Sequence, residues 1–397
     1  MRLVHISDLH LGYRQYQRLT PGGVNQREAD VAATFRVAVD RIIALRPDVV
    51  VVAGDVFHSA RPTNQAILHA FLQFSRLRQT LPDAHILIIA GNHDIPRSSE
   101  VGGILQLLAQ LELEVVDRDA KRLTFAGGEL SILAIPDAPG LVHPSLTPDP
   151  DARFNVLAAH CEIPGALPVN VTTADPAAVV IAREELHAAQ WDYVALGHYH
   201  VYREIAPNAY YAGSIDYTSV NPWGELHEER LGGLTGKGFV ERNLATGEHV
   251  FHALAPARPL IDLPPISARN LAPADIDERI RSAVESVKGG IGDKIVRLLV
   301  RDAPRHVARE LDHRAIRDYK RRALNFHLDI RRPDVLRVHA SGAPGRPTME
   351  LKEIVAEKLR WRALDEGVDR DALIARAVAY LDEAQAAGPA LPALIES

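Results

Sequence analysis

Side chains that can bind a metal ion or move a proton follow apolar runs at five places in the first half of the chain. Each run stops at Asp, Asn or His: VHISDLH (4–10), VVVAGDVFH (50–58), LIIAGNHD (87–94), VLAAH (156–160) and VALGHYH (194–200). In α/β sheets ligands bind at the carboxyl ends of strands, so we expect these five segments to aim their polar groups at one crevice. Oxygen and nitrogen donors of these types favour metal-assisted chemistry.

Seven of these side chains form the candidate metal-binding set. They are Asp8, His10, Asp55, Asn92, His160, His198 and His200. Seven oxygen and nitrogen ligands are too many for one tetrahedral zinc site, and they suit two cations that share a carboxylate, such as Mn²⁺, Fe²⁺ or Zn²⁺. The set contains no cysteine, which favours Mn²⁺. Each member alone also fits a strand-end turn or a helix cap, and the metal site is favoured because all seven occur together.

Two of the motifs place ligand-type residues two positions apart. One residue separates Asp8 from His10, and one separates His198 from His200. Side chains with this spacing point to the same face when the segment stays extended. We therefore expect both members of each pair to reach the metal ions from extended strand ends.

The motifs SDLH, GDVFH, GNHD, AAH and GHYH, in this order, resemble those of the calcineurin-like metallophosphoesterases across residues 1–215. Strands that alternate with helices predict a layered α/β arrangement, and the strand-rich later part makes its sheets mixed. The resemblance implies a two-layered mixed β-sheet sandwich flanked by helices. It also implies that one cation is held by Asp8, His10, Asp55 and His200, and the other by Asp55, Asn92, His160 and His198.

The resemblance further implies phosphoryl chemistry. Two cations stabilise the attacking and leaving oxygens of an in-line displacement, and they lower the pKa of a water molecule. His93 follows Asn92 directly and so points elsewhere. In the resembled family this position stabilises the transition state or protonates the leaving oxygen, and a structural, hydrogen-bonded histidine is the alternative. Asp94 is expected either to hold the turn or to orient His93.

Two segments, GDVFHSARPTNQA (54–66) and YRQYQRLTPGGVNQREAD (13–30), resemble the SbcD family of DNA double-strand-break nucleases. The resemblance implies a nuclease with two Mn²⁺ ions per chain, with Fe²⁺, Mg²⁺ or Zn²⁺ as alternative metals. The implied activities are a 3′-to-5′ exonuclease on double-stranded ends and an endonuclease on single strands and hairpins. The alternative function is a metallophosphatase or phosphodiesterase that acts on a small phosphoester.

Four residues near these segments are candidate DNA contacts: Tyr13, Arg14, Gln15 and Arg61. Guanidinium groups bind phosphates and aromatic faces stack on bases, whereas the alternative is a solvated surface loop. His58 is a second candidate catalytic residue. Some members of the resembled family carry histidine there, where it is tied to exonuclease action, and others carry aspartate.

Four regions are predicted along the chain, and the roles of the last three follow from the same resemblance. They are a nuclease domain (1–255), a small α/β capping domain that positions DNA (260–338), a linker (339–348) and two helices that bind an SbcC-type, SMC-like ATPase (349–397). Ten basic and five acidic residues lie between 301 and 332, which fits a solvated face or a DNA contact. Ten acids and six bases lie in 347–397, which favours a protein partner over DNA.

Two predicted helices, 63–79 and 101–111, are apolar almost all round. Such helices are buried on both sides, in a core or at a subunit contact. Because the resembled family dimerises in this region, we expect a homodimer. Burial within the core alone would produce the same pattern.

Composition limits the class of protein. The 397 residues are 47% apolar and 24% charged, as in a globular chain of two or three domains. A net charge of −6 argues against binding nucleic acid by bulk attraction, and the single cysteine, Cys161, excludes an intrachain disulfide and a cysteine-based zinc site. No signal peptide and no membrane-spanning segment is predicted, so we expect a cytoplasmic, nucleoid-associated protein.

Overall fold

Residues 1–255 build two mixed β-sheets that face each other. The computed structural model describes residues 1–96, 103–166, 176–234, 236–333, 351–361 and 369–386. Sheet 1 has the order β12 (His249–Ala253), β11 (Gly238–Asn243), β1 (Arg2–Ile6), β2 (Val49–Ala53), β3 (His85–Ile89) and β4 (Glu114–Val116). Sheet 2 has the order β5 (Lys121–Phe125), β6 (Leu130–Ile135), β7 (Phe154–His160), β8 (Tyr193–Gly197), β10 (Ala209–Tyr211) and β9 (Arg203–Ala206). The predicted two-layered mixed sandwich is confirmed.

The strands that carry the predicted ligands are parallel. In sheet 1 the four strands β1 to β4 run in one direction, and in sheet 2 the strands β6, β7, β8 and β10 do so. The carboxyl ends of parallel neighbours meet at the same edge of a sheet. Each sheet therefore brings its polar strand ends to one edge.

The central strands are continuous apolar runs in the sequence because both of their faces are buried. In β2, Val50 and Val52 pack against the helices that cover sheet 1, whereas Val49 and Val51 pack between the sheets. Strand β7 places Val156 and Ala158 between the sheets, and its alternate residues pack on the outer face of sheet 2. Successive side chains of a strand point to opposite faces, so a strand buried on both faces must be apolar throughout.

The described residues form helices between the strands and after them. They are α1 (Gln26–Leu45), α2 (Asn64–Thr80), α3 (Gln106–Ala109), α4 (Pro222–Leu231), α5 (Pro273–Glu285), α6 (Arg305–Arg309), α7 (His313–Arg322), α8 (Leu351–Trp361) and α9 (Arg370–Ala386). Helix α1 begins after Asn25, whose side chain accepts a hydrogen bond from the Arg27 N–H. Helix α2 begins after Thr63, whose hydroxyl accepts from the Ala66 N–H. Both are N-caps of the usual type.

Helix α2 is buried on one side among the described residues, and burial of its other side at a subunit contact stays a prediction. Its outer face is exposed in the chain, with relative accessibilities of 54% for Leu68 and 55% for Leu72. The inner face packs on sheet 1 through Ala70 and Phe74. The predicted helix at 101–111 is observed as the short α3, and its first two residues lie outside the described part of the chain. Among the described residues, the core therefore does not cover the apolar outer face of α2.

A third, parallel sheet lies in the region predicted as the cap. Its strands are β13 (Leu260–Asp262), β14 (Ile266–Ser267), β15 (Ile295–Arg301) and β16 (Asn325–Ile330), with β13 and β14 on one side of β15 and β16 on the other. Ile276, Ile280 and Val284 of α5 fill a separate core with Val296 and Leu298 of β15. Residues 1–333 nevertheless form one unit of the chain by their contacts, and residues 334–397 form another.

The second unit contains α8 and α9, which pack against each other. The Arg370 guanidinium donates a hydrogen bond to the Leu359 carbonyl at 2.6 Å, and Val378 and Leu381 are half-buried. The predicted linker, 339–348, lies outside the described residues. Among the helices of the described ranges, none combines the length and the apolar character that a membrane span requires.

Candidate metal centre

The seven predicted ligands come together at strand ends contributed by both sheets. Asp8 and His10 follow β1, Asp55 follows β2, Asn92 follows β3, His160 ends β7, and His198 and His200 follow β8. Asp55 lies at the centre, with its Oδ2 atom 3.6 Å from His10 Nε2 and 3.6 Å from His160 Nε2. A carboxylate between imidazoles from two different sheets is placed as a ligand that two cations would share.

The remaining ligands divide around Asp55 into two groups. In the first group, the ligand atoms of Asp8, His10 and His200 lie within 4.8 Å of one another. The Nε2 atoms of His10 and His200 are 2.9 Å apart. In the second, His160 Nε2 lies 3.2 Å from Asn92 Oδ1. His160 Nδ1 donates to the Ala53 carbonyl at 2.8 Å, which orients the ring so that Nε2 carries the lone pair.

Glycines precede several ligands because the strand ends approach too closely for a side chain. A Cβ atom on Gly54 would lie 2.1 Å from His160 Nδ1, and one on Gly91 would lie 2.1 Å from Asp55 Oδ1. Gly54 also has φ = 93°, a conformation that glycine adopts without strain. Close packing of the strand ends therefore explains why glycine precedes the predicted ligand in the GD and GN pairs of the motifs.

Four of the ligands occupy strained backbone conformations. The φ angle is 53° at Asp8, 45° at His10, 52° at Asp55 and 107° at His198. Non-glycine residues in this region cost about 1–3 kcal/mol each and cluster at functional sites. The expectation of extended strand ends is therefore wrong: Asp8, His10 and His198 have positive φ angles, because the chain turns after each strand and must still direct both members of a pair toward one point.

Burial controls the protonation of the ligands. It lowers the pKa of His10 well below its usual value, and it lowers the pKa of His198 to about 3, with His160 adding to the effect. Burial raises the pKa of Asp55, but the neighbouring His160 and His93 outweigh burial and the pKa is lowered. Burial likewise lowers the pKa of His160, but the carboxylates of Asp55, Asp8 and Asp137 and the Ala53 hydrogen bond together outweigh burial, and the pKa is raised. Cation binding at His160 would therefore displace a proton.

The donor set fits divalent cations. His198 Nε2 is buried and has no hydrogen-bond partner among the described residues. A buried polar atom without a partner is costly, and a metal ion would satisfy it. Carboxylate, amide and imidazole donors together suit Mn²⁺ and related ions.

His93 and His58 lie beside the first group of ligands. The His93 backbone N–H donates to Asp55 Oδ1 at 3.0 Å, and its Nδ1 donates to the His58 carbonyl at 2.8 Å. The two imidazole rings stack with centroids 5.3 Å apart, and both rings contact His10 edge to face. The backbone of His93 is thus tied to Asp55, and its ring is held by the His58 carbonyl.

Asp94 holds the turn that carries Asn92 and His93. Its carboxylate accepts hydrogen bonds from the N–H groups of Gly91, Val56 and Phe57 at 3.0, 3.1 and 2.8 Å. Burial raises the pKa of Asp94 to about 7, and the charge of Asp55 adds to the effect. Asp94 therefore ties the segment after β3 to the segment after β2.

A buried ion pair behind His200 was not anticipated from the sequence. His200 Nδ1 lies 3.5 Å from Glu225 Oε1, and the Lys237 ammonium pairs with Glu225 and donates to the His200 carbonyl at 2.7 Å. Burial raises the pKa of Glu225, but Lys237 and His200 outweigh burial and lower the pKa to about 2. Glu225 and Lys237 lie outside the GHYH motif that contains His200, so no sequence signal indicates them.

The candidate DNA contacts separate into buried and exposed residues. Tyr13 is buried, with its ring edge on the His58 ring at 5.0 Å and its hydroxyl donating to the Ser219 carbonyl at 3.3 Å. It packs beside the site and offers no exposed face on which a base could stack. Arg14 and Arg61 are exposed, Gln15 is half-buried, and Arg14 Nε lies 3.2 Å from a Glu28 carboxylate oxygen.

Asp137 lies beside His160 and His198 and is not among the seven ligands predicted from the sequence. Its ligand atom lies within 4.8 Å of those of His160 and His198. A signal was present, because the apolar strand ELSILAIP (129–136) is followed directly by Asp137. The rule that identified the other ligands, a polar residue at the end of an apolar strand, applies to this strand as well.

Three archaeal proteins named DNA double-strand break repair protein Mre11 are similar to the chain. The Methanococcus maripaludis protein is 39% identical over 111 residues, which are 28% of each chain. The Methanopyrus kandleri protein is 29% identical over 217 residues, 51% of this chain and 45% of the relative. The Sulfurisphaera tokodaii protein is 28% identical over 208 residues, 51% of this chain and 49% of the relative. The matched part of the chain thus spans less than half the length of these relatives.

A protein family also matches the first half of the chain. Residues 1–202 match the calcineurin-like phosphoesterase family, and this stretch contains both sheets' ligand-bearing strand ends, from Asp8 to His200. Donors of these types suit metal-assisted hydrolysis of phosphoesters. The chain belongs to the calcineurin-like phosphoesterase family.

Proposed function

We propose that the chain is the nuclease subunit of a DNA double-strand-break processing complex, of the SbcD type, which hydrolyses DNA phosphodiester bonds with two Mn²⁺ ions. The observation that carries the proposal is the position of Asp55, 3.6 Å from an imidazole nitrogen of each sheet, with further ligands on both sides. The names of the similar archaeal proteins support DNA as the substrate. The proposed activities are 3′-to-5′ exonuclease action on double-stranded ends and endonuclease action on single strands and hairpins.

The residues of the chain have separate tasks in this reaction. Bound cations would neutralise the phosphate and activate a water molecule for in-line attack. Since His93 Nδ1 is committed to the His58 carbonyl, proton exchange with the leaving oxygen is assigned to His93 Nε2. His58 then acts through its carbonyl, which orients the His93 ring.

A basic cleft between the 13–25 loop and the cap supports a path for the DNA backbone. The Arg18 guanidinium donates to the carbonyls of Arg321 and Ala323, at 3.1 Å in each case, and so joins the loop to the cap. The lining residues are Tyr16, Gln17, Arg18, Lys320, Arg321, Leu324 and Asn325. Three cations at one cleft suit phosphate contacts. We assign Arg14, Gln15 and Arg61 to the same surface.

The proposed assembly uses two other surfaces. The exposed outer face of α2, with Leu68, Phe71 and Leu72, supports a homodimer, because isolated apolar patches on a helix mark interaction sites. The pair α8 and α9 supports docking of an SMC-like ATPase, since two short helices bury little surface alone. Action on chromosomal DNA places the protein in the cytoplasm at the nucleoid.

The experiment that tests the substrate class compares three compounds under one set of conditions. Purified full-length chain with Mn²⁺ is given linear duplex DNA, an aryl phosphate monoester and a bis-aryl phosphodiester. We expect nucleotide release from DNA and little turnover of the monoester. Efficient turnover of the monoester without DNA cleavage would favour the alternative, a phosphatase that acts on small phosphoesters.

A further inference from the structure

Asp137 lies at the end of the strand next to two ligand-bearing strands. In sheet 2, β6 is parallel to β7, with Ile135 opposite Ala159, and β7 is parallel to β8, with His160 opposite Gly197. The three neighbouring strands therefore end in Asp137, His160 and His198. The carboxyl ends of adjacent parallel strands converge, which brings these three side chains to one point.

The carboxylate of Asp137 is fully buried, and only one of its oxygens has a protein partner. Oδ1 accepts a hydrogen bond from the Val179 N–H at 2.7 Å, whereas Oδ2 is buried and has no partner among the described residues. The backbone N–H of Asp137 donates to the Ala90 carbonyl, which fixes the segment against the end of β3. An unpaired buried carboxylate oxygen is unfavourable unless a cation satisfies it.

The spacing around Asp137 matches that around the predicted ligands. The ligand atoms of Asp137, His160 and His198 lie within 4.8 Å of one another, the same limit that holds for Asp8, Asp55 and His160. His198 Nε2 is a second buried atom without a partner in this group. A compact group with two buried metal-binding atoms that have no partner among the described residues fits a cation bound between its three side chains.

We propose that Asp137 is a direct carboxylate ligand of the cation held by Asn92, His160 and His198. The inference rests on the proposed function, because it assumes that divalent cations bind here. With Asp137, this cation position has two carboxylates, counting Asp55, and so gains a hard anionic oxygen. Such a ligand favours Mn²⁺ or Mg²⁺ over softer metals.

A purely structural role for Asp137 makes a different prediction. Among the described residues Oδ1 alone has a hydrogen-bond partner, and an asparagine would keep that acceptor for the Val179 N–H. Asp137→Asn therefore removes the charge and the second oxygen acceptor while preserving the contact seen in the fold. If the carboxylate serves the fold alone, this variant should behave like the unchanged chain.

The test measures metal binding directly. Metal-free full-length protein is titrated with Mn²⁺ by calorimetry and by electron paramagnetic resonance, for the unchanged chain, for Asp137→Asn and for the control Asp192→Asn. Asp192 accepts a hydrogen bond from the Asn155 N–H at 2.7 Å and precedes the opposite end of β8, so the control removes an equal charge away from the site. We expect Asp137→Asn to weaken one of two bound ions at least about tenfold, and the control to bind both normally.

A second measurement separates a direct ligand from a neighbour that acts through His198. The chain is loaded with Co²⁺, whose visible d–d spectrum reports the number and type of direct ligands. We expect the spectrum to change in Asp137→Asn, and the same change in Asp137→Ser if the amide variant does not fold. Normal binding of two ions in Asp137→Asn, or weaker binding with an unchanged spectrum, would overturn the proposal. Failure of the unchanged chain to bind two ions would refute the proposed function itself.

Discussion

Asp55 and His93 are adjacent in space but suited to different tasks. Asp55 presents one carboxylate oxygen to imidazoles of both sheets, while its other oxygen accepts the His93 N–H at 3.0 Å. The His93 ring is held by the His58 carbonyl. The predicted shared ligand Asp55 and the proposed proton-transfer residue His93 are thus joined by one backbone hydrogen bond.

This division predicts the behaviour of His93→Asn. The variant should bind two Mn²⁺ ions like the unchanged chain, because none of the seven predicted ligands is altered. Its DNA cleavage should fall by about 10²–10⁴-fold, the range in which a general acid or base contributes. Calorimetry and single-turnover cleavage measure the two quantities. Loss of metal binding in His93→Asn would contradict the division of tasks.

At the scale of the elements, the site depends on how closely the strand ends meet. The segment after β3 approaches the segment after β2 so closely that the position of Gly91 has no room for a methyl group. Asp94 bridges the same two segments through three backbone N–H groups. Ligand geometry is thus set by backbone packing between strand ends and not by the ligands alone.

Gly91→Ala tests this dependence. The new Cβ atom would lie 2.1 Å from Asp55 Oδ1 and 2.5 Å from Asp55 N, so Asp55 must shift. We expect weaker binding of both Mn²⁺ ions by calorimetry, because Asp55 is the shared ligand. Gly292→Ala is the matched control, since a Cβ atom there meets open space. Unchanged metal affinity in Gly91→Ala would show that Asp55 tolerates displacement.

The sequence predicts the strands and their polar ends well, because both depend on local pattern. The apolar run of β2 and the residue that follows it, Asp55, are read directly from VVVVAGD (49–55). The left-handed turn at Asp8 and His10 is not readable, since it arises from the requirement that both side chains meet partners from distant strands. Glu225 is hidden for the same reason, as its contact with His200 exists only in the folded chain.

At the scale of the whole molecule, burial between the sheets affects the response to acid. His5 is fully buried, and its Nδ1 lies 3.0 Å from the Tyr193 hydroxyl across the two sheets. Burial lowers the pKa of His5 from 6.5 to about 3. The folded chain therefore binds fewer protons at this site than the unfolded chain, so stability must fall as the pH falls below 6.5 and stop falling near 3.

His5→Gln should remove this contribution. In the variant, the uptake of one proton is no longer linked to unfolding. The free energy of unfolding of the unchanged chain should therefore fall, relative to that of the variant, by up to about 1.4 kcal/mol for each pH unit below pH 6.5. Urea unfolding of the metal-free proteins at a series of pH values measures it. Parallel stability curves for the two proteins would contradict the assignment.

The outer face of α2 makes a prediction about assembly. Leu68 and Leu72 are more than half exposed, and charges placed there should oppose a contact between two copies without disturbing the core. We expect sedimentation velocity to show a dimer for the unchanged chain and a monomer for the double variant Leu68→Glu, Leu72→Glu. Val142→Glu, at a position that is 88% exposed, is the control and should leave the dimer intact. A dimer that persists in the double variant would exclude this face.

The most direct test of Asp55 as the ligand of two cations is Mn²⁺-dependent cleavage of linear duplex DNA. Cleavage is measured for the unchanged chain and for Asp55→Asn. Asp55 is the ligand placed to serve both cations, so its neutralisation should abolish metal binding at both positions and with it the reaction. We expect nucleotide release by the unchanged chain and no measurable release by Asp55→Asn. Thermal unfolding should show that both proteins are folded. Retained cleavage by a folded Asp55→Asn protein would contradict the role of Asp55 as the shared ligand in DNA cleavage.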